Sequence, residues 1–309
     1  MRAEDRKVIL VTRRTRLAEL IARYHTLAQA RFYIEHLGAD FADYVREDEA
    51  YASSLQTVTE ALRAWGRFQS IDRAHLTNFV FASDDIVLAL GQDGLVANAL
   101  KYLNGHPLIG VNPEPTRWDG VLLPFEPEAV ASLLPAVAMG KHSTRSVTMA
   151  EARLSDGQVL RAVNDLFIGP RSHTSALYDI AYRGATEQQS SSGLIVSTGL
   201  GSTAWLKSVV TGSLGIAHAL GLGDETEYSP MPWDTDHLLF AVREPFASRS
   251  SQTQLVYGEI TSSEHLTLRS RMPDNGVIFS DGVEADFLRF TAGMTAEIGI
   301  SANHGVLVH

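Results

Sequence analysis

Three short runs place polar residues where an apolar pattern is under way. In IVLALGQDGLVANALKYL, residues 86–103, five apolar residues run into Gly91, Gln92, Asp93 and Gly94. Leu95, Ala99, Leu100 and Leu103 then recur at helical spacing, which predicts a strand-to-helix turn carrying a carboxylate. In a parallel sheet such turns lie at the carboxyl ends of the strands, where a helix N-terminus presents unpaired N–H groups to phosphate. Asp93 has two readings: it caps the helix, or it is a catalytic group beside a bound nucleotide.

The second run is VNDLFIG, where Asn164 and Asp165 interrupt an apolar strand that disfavours both types. Either they end the strand at a bulge or they hold a ligand, since an amide beside a carboxylate offers donors and acceptors suited to ribose hydroxyls and a base edge. The third is SSGLIVSTGLGSTAWLKS, in which an apolar strand delivers Ser197, Thr198, Gly199, Gly201, Ser202 and Thr203 to the start of a helix. Small residues let a ligand approach the backbone, and hydroxyls with helix N–H groups bind oxygen-rich groups. An ordinary capped helix start explains one Ser or Thr but not the whole run.

Arg13, Arg14 and Arg16 follow the first strand. They either bring positive charge to the same sheet edge or form a solvated helix start opposed by the helix dipole. His173, His237 and the carboxylates of WDTDH have metal-ligand types without a recognised metal spacing, so no metal site is assigned.

The elements that must position these groups follow from periodicity. KVILVT reads as a buried strand, a long helix spans Thr15 to about Leu37, and a second helix covers 50–65. NFVFASDDIVLAL holds the next strand, PLIGV another, and EPEAVASLLPAVAMG a short helix closing at Gly140. This order predicts a parallel sheet with helices on its faces. After residue 141 the pattern changes to strands: RSVTMAEARL, QVLRAVNDLFIG, LIVST, and candidates at 237–242, 253–260, 265–270, 277–280 and 294–300. Asp156-Gly157 marks a hairpin, and one helix runs from Ser202 to about Leu220. The expected architecture is an α/β N-terminal domain, 1–140, and a β-rich, antiparallel, sandwich-like C-terminal domain, 141–309.

Composition bounds the function. The 309 residues suffice for two cores, and 45% hydrophobic with 20% charged residues is ordinary for a soluble globular chain. The absence of cysteine excludes disulfides and thiolate chemistry. The apolar run in MRAEDRKVILVTRRTR is short and closely flanked by charge, so neither a signal peptide nor a membrane span is expected and a cytoplasmic location is the default. A net charge of −10 argues against a nucleic-acid partner, while a local site can still attract a small anion.

The segments GQDG, VNDL and GLIVSTGLGSTAW, in this order and with these gaps, resemble the three signature segments of NAD kinases. PLIGVNPEPTRWDGVLLPF is similar to a further family segment, and the resemblance spans residues 80 to about 300. It implies NAD bound between two domains of a homodimer or homotetramer, with transfer of a phosphoryl group from ATP or polyphosphate, with Mg²⁺, to the adenosine ribose 2′-hydroxyl. By the resemblance Asp93 is the catalytic aspartate and Gly91 and Gly94 approach phosphates; Arg13 and Arg14, in the first of their two readings, add charge at the same sheet edge by their place after the first strand. Asn164 and Asp165 match the nucleotide-binding Asn-Glu pair. Thr198, Gly201, Ser202, Thr203, Ala204 and Ser208 fall in or beside the dinucleotide-lining run, and Trp205 replaces the customary Tyr.

The chain departs from the family at Gln92, Leu95, Ser192 and Gly199-Leu200, where the family has Gly, Thr, Asp and Pro-Thr. Two alternatives remain: a lipid or sphingoid-base kinase, which shares the Gly-Asp-Gly turn, and a non-catalytic nucleotide-binding protein. Residues 15–75 have no counterpart in the family pattern.

Overall fold

The computed structural model describes residues 6–222, 227–283 and 286–309. It divides into two compact units, the first comprising residues up to Arg145 with Val306–His309, the second Ser146–Gly305. This differs from the expected division after residue 140. Residues 141–145 stay with the first unit, and the last four residues return to it because Val306 and Leu307 pair in parallel with Pro107 and Leu108.

The first unit contains β1 (Val8–Thr12), α1 (Arg16–Tyr24), α2 (Leu27–His36), α3 (Phe41–Trp65), β2 (Phe68–Asp72), β3 (Ile86–Leu90), α4 (Asp93–Leu100), β4 (Pro107–Val111) and α5 (Val130–Ala138). The strands run in parallel in the order β2-β1-β3-β4. Val8–Val11 and all of β3 are buried, as the unbroken apolar runs of a parallel sheet covered on both faces require. Tyr51, Val58 and Leu62 of α3 and Val130, Leu134 and Val137 of α5 complete this core.

The single helix expected over 15–37 is two. His25 takes a left-handed conformation at φ 69° and closes α1, and the Thr26 side chain accepts from Gln29 N to begin α2. Thr26-x-x-Gln29 is a capping pattern that the apolar periodicity runs across. The next helix begins at Phe41 rather than near 50, because the Asp40 carboxylate accepts from Ala42 N. β2 was not anticipated: FQSID is short, polar and largely exposed, as suits a sheet edge.

One buried carboxylate ties α3 to the carboxyl end of the sheet. Glu47, only 2% exposed, accepts from Arg13 Nη2 at 3.0 Å and from Arg16 Nε. One turn further on, the Tyr51 hydroxyl accepts from Arg13 N at 3.0 Å and donates to Leu90 O at 3.2 Å, linking the ends of β1 and β3. Burial pushes the Glu47 carboxyl up, but the hydrogen bonds and charges of Arg16 and Arg13 outweigh it and hold the group below its ordinary value.

The second unit contains β5 (Thr144–Leu154, entering from the first unit), β6 (Val159–Ala162), β7 (Asp165–Pro170), β8 (Ala176–Tyr182), β9 (Ala185–Ser191), β10 (Leu194–Ser197), α6 (Trp205–Ala219), β11 (Leu238–Val242), β12 (Tyr257–Ile260), β13 (Leu266–Ser270), β14 (Gly276–Ser280), β15 (Phe287–Arg289) and β16 (Thr295–Val308). One sheet here has the order β16-β13-β8-β9 and takes in β5 and β6; the other runs β12-β11-β10-β7-β14-β15, antiparallel throughout. Tyr178, Ile180 and Ile298 from the first sheet and Leu166, Ile168 and Phe240 from the second share one buried core. The hairpin at Asp156-Gly157 joins β5 to β6 as expected, while β8, β9 and β15 were not anticipated. The run QVLRAVNDLFIG, expected as one strand, is two strands broken at Val163 and Asn164.

Glu47→Ala leaves Arg13 and Arg16 without their buried acceptor, and it is expected to lower unfolding stability by about 3 kcal/mol or more in urea titrations at pH 7. Because the Glu47 carboxyl is held low, its contribution is present above its ordinary pKa of about 4.5 and fades as the pH falls below that. Glu47→Gln removes that acid dependence, and an unchanged acid limb in this variant would contradict the assignment.

Candidate functional site

Asp93 is the first residue of α4, but it does not cap that helix. Gln92 holds the cap position and makes no capping side-chain bond. The Asp93 carboxylate instead accepts from Leu122 N through Oδ1 at 2.7 Å. Leu122 comes this close because Gly110 of β4 lacks a side chain: a Cβ there would lie 2.0 Å from Leu122 O. Asn112 shapes the same loop, accepting from Glu114 N at 3.1 Å and donating to Trp118 O at 2.9 Å. A half-buried carboxylate is thus held by one oxygen beside an uncapped helix N-terminus, at the carboxyl edge of a parallel sheet.

Around this turn, Gly91 is buried and Gly94 exposed. Leu95, at the position of the family's Thr, is 2% exposed, and its side chain would meet a Cβ on Gly91 at 2.8 Å. Leu95 therefore packs the underside of the turn. Arg13 and Arg14 separate in character. Arg13 is bound to Glu47 and lies over the Tyr51 ring at 5.1 Å, with its Nε buried and unpartnered. Arg14 is exposed and has no side-chain partner among the described residues.

In the second unit, Asn164 and Asp165 stand at the break between β6 and β7. Asp281, in a left-handed conformation at φ 55°, holds this break open, its carboxylate accepting from Val163 N, Asn164 N and Asp165 N at 3.1, 2.7 and 3.3 Å. The sequence shows this residue only as part of a Ser-Asp-Gly turn. The Asn164 side chain is half-buried and has no hydrogen bond among the described residues. Asp165 is 8% exposed, and its Oδ1 is buried without a partner. Burial pushes the Asp165 carboxyl up to about 7; the Ser197 hydroxyl opposes the shift and the Asp281 charge adds to it.

The run from Ser197 to Ser208 divides into residues that shape the loop and residues that face outward. Thr198 is fully buried, donates to Val163 O at 2.5 Å and accepts from Gly201 N at 3.2 Å. Ser202 is equally buried, donates to Gly199 O at 2.7 Å and accepts from Met231 N at 2.9 Å. Gly201 admits the chain itself, since a Cβ would meet Asn164 O at 2.2 Å. The small residues here serve close backbone approach. Thr203, Ala204 and Ser208 are exposed, although the hydroxyls of Thr203 and Ser208 donate to Leu200 O and Ala204 O. The Trp205 ring stacks on Phe167 at 5.7 Å and 10°, with the Arg243 guanidinium 5.5 Å from its centre. These three side chains help line a cavity of about 460 Å³ with Arg171, His173 and Ser192.

Among the described residues, no group of three or more His, Asp or Glu is placed to hold a metal ion. His237 is engaged with Thr235 and Asp236 at 3.0 and 3.1 Å. No described helix is long and apolar enough to cross a membrane.

No protein-family model matches the chain. It is 25% identical to the mitochondrial NAD kinase 2 of Rattus norvegicus, over 91% of this chain and 82% of the relative. The Homo sapiens protein of the same name is also 25% identical, over 91% of this chain and 79% of its own length. A probable NADH kinase of Oryza sativa subsp. japonica is 25% identical over 69% of this chain and 67% of its own.

The buried Asp165 gives a pH signature opposite to that of Glu47. Its raised carboxyl favours the fold when protonated, so that stability is fully present below about pH 4 and is lost as the pH rises through about 7. Asp165→Asn is expected to flatten this loss, on the order of a few kcal/mol, when urea unfolding is compared at pH 5 and pH 8. An identical pH slope in the two proteins would show that Asp165 is not the group responsible.

Proposed function

We propose that the chain is an NAD kinase-like phosphotransferase, in keeping with its 25% identity to proteins named NAD kinase 2, and that it phosphorylates NAD at the adenosine ribose 2′-hydroxyl with ATP or polyphosphate as donor. The observation that carries this reading is the Asp93 carboxylate, drawn off its own helix by Leu122 N and left beside the uncapped start of α4. The ribose oxygen attacks the terminal phosphorus, the bond from that phosphorus to the bridging oxygen breaks, and the hydroxyl proton passes to Asp93. The shortened donor leaves with the bridging electron pair. Such a transfer depends on positioning and charge neutralisation more than on covalent chemistry from the protein, so few groups suffice.

The unpartnered Asn164 amide and the orphan oxygen of Asp165 meet ribose hydroxyls, and Trp205 offers an aromatic face to a base. Thr203, Ala204 and Ser208 form the outward-facing side of the same loop. Thr198, Gly201 and Ser202 contribute by setting its shape. With no cluster of three acidic or imidazole ligands among the described residues, Mg²⁺ would be held chiefly by donor phosphates, as this ion commonly is. It would neutralise charge on the transferring group. The reading includes a homodimer or homotetramer, supported by the apolar Ile216, Leu220 and Leu222 on and after α6, which are 66%, 68% and 63% exposed.

Asp93→Asn is expected to lower NADP formation by about 10²-fold or more while calorimetric NAD affinity stays within about twofold. Equal loss of binding, or an unchanged rate, removes Asp93 from the proton-accepting role. Asn164→Ala is expected to weaken NAD binding about tenfold; unchanged affinity takes Asn164 out of the site. Nucleotide binding with no transfer in the unaltered protein would favour a silent binding protein, in keeping with Gln92 and Leu95 in the phosphate turn.

A further inference from the structure

We propose that α3 positions the Asp93 carboxylate through a clasp on the loop that follows β4, with Asp43, Ser54 and Arg117 as the positioning residues. Leu122 N, which holds Asp93 Oδ1 at 2.7 Å, belongs to this loop. The loop is tied to the sheet at its two ends, where Asn112 N donates to Phe125 O at 2.8 Å and Phe125 N to Gly110 O at 3.4 Å. Over residues 113–118, the hydrogen bonds that leave the loop run to α3 among the described residues. The half-buried Arg117 sets its guanidinium fork on Asp43, Nη1 donating to Oδ2 at 3.3 Å and Nη2 to Oδ1. Three turns further along the same helix, the buried Ser54 hydroxyl donates to Pro113 O at 2.9 Å.

The grip on Arg117 is carried to Leu122 by the loop's own bonds. Arg117 Nε donates to the Glu114 carboxylate at 3.1 Å, and Arg117 N and Trp118 N donate to Glu114 O at 3.0 and 3.2 Å. Asn112 closes the turn by accepting from Glu114 N and donating to Trp118 O. Residues 112–118 are thus one hydrogen-bonded body. From Trp118 the chain reaches Leu122 in four residues, bent at Gly120 with φ 61°, where Leu123 N donates to Gly120 O at 2.9 Å. A displacement of Arg117 therefore passes to Leu122 N through a contiguous network rather than being absorbed by slack chain.

Asp93 needs such a hold. At the first position of α4 its carboxylate has competing partners, the free N–H groups of its own helix start, which favour negative charge. Turned onto them it would serve the helix; drawn to Leu122 N it keeps its second oxygen open to accept a proton. The clasp favours the second arrangement because a guanidinium fork on a carboxylate is charge-assisted and fixed in direction. Asp43 is itself kept charged. The Arg16 hydrogen bond holds its carboxyl below the ordinary value against some desolvation, and the charges of Arg117, Arg16 and Arg46 add to the hold. The clasp on Leu122 stands by itself; its effect on turnover rests on the phosphotransfer reading.

The test combines amide hydrogen exchange, read by NMR on the full chain, with NADP formation. Arg117→Ala is expected to speed exchange at Leu122 N about tenfold while the amides of β3 keep their rates. The same variant should lower kcat about tenfold with the NAD KM within about twofold. Arg117→Lys keeps the charge without the fork and should fall between Arg117→Ala and the unaltered chain in both readouts. Ser54→Ala, which leaves Pro113 O without its donor, should act in the same direction as Arg117→Ala. Arg31→Ala removes the α2 ion pair with Glu35, touches no residue of the loop, and should change neither readout. Unchanged exchange at Leu122 in Arg117→Ala, or a rise matched in β3, overturns the proposal, and so does faster exchange with kcat unaltered. If the unaltered chain forms no NADP, the phosphotransfer reading fails, and the exchange measurement alone decides the clasp.

Discussion

The carboxyl edge of the first sheet depends on one buried ion cluster. Glu47 is almost wholly removed from water, and only the guanidinium groups of Arg13 and Arg16 make its charge tolerable there. Those arginines leave the end of β1, so the pair fixes α3 against that end, and Tyr51 extends the hold to β3. The turn bearing Asp93 begins where this bracing ends. Loss of the cluster would therefore loosen the edge from which the Asp93 turn departs.

A second device recurs in both units: a carboxylate that accepts backbone N–H groups from a distant segment and fixes an irregular stretch of chain. Asp93 takes Leu122 N, and Asp281 takes three consecutive N–H groups at the strand break. At the first, Gly110 provides the close passage of two backbones; at the second, Gly201 lets a further segment approach Asn164 O. Irregular backbone held this way can keep polar groups unsatisfied by the protein, which is the condition for meeting a ligand. The orphan oxygen of Asp165 and the orphan donor of Trp118 are examples.

Much of this was legible in the sequence because it is local. The strand-to-helix turn at Asp93, the hairpin at Asp156-Gly157 and the start of α6 follow from apolar period and turn chemistry. What escaped depends on contacts far apart in the chain. Nothing around Asp281 announces that it clamps residues 163–165, and nothing in FQSID marks it as an edge strand. The hydroxyls of Thr198 and Ser202 read as ligand groups, whereas folding turns both onto the backbone. The break between α1 and α2 was signalled by Thr26 and Gln29, but the apolar spacing that continues across it carried more weight.

The most direct measurement of the central claim is product formation by the unaltered chain. Purified protein is incubated with NAD and Mg²⁺, with ATP in one arm and tripolyphosphate in the other, and NADP is read by an NADP-specific dehydrogenase. The account predicts that NADP accumulates with at least one donor. Saturable NAD binding with no NADP from either donor would contradict it.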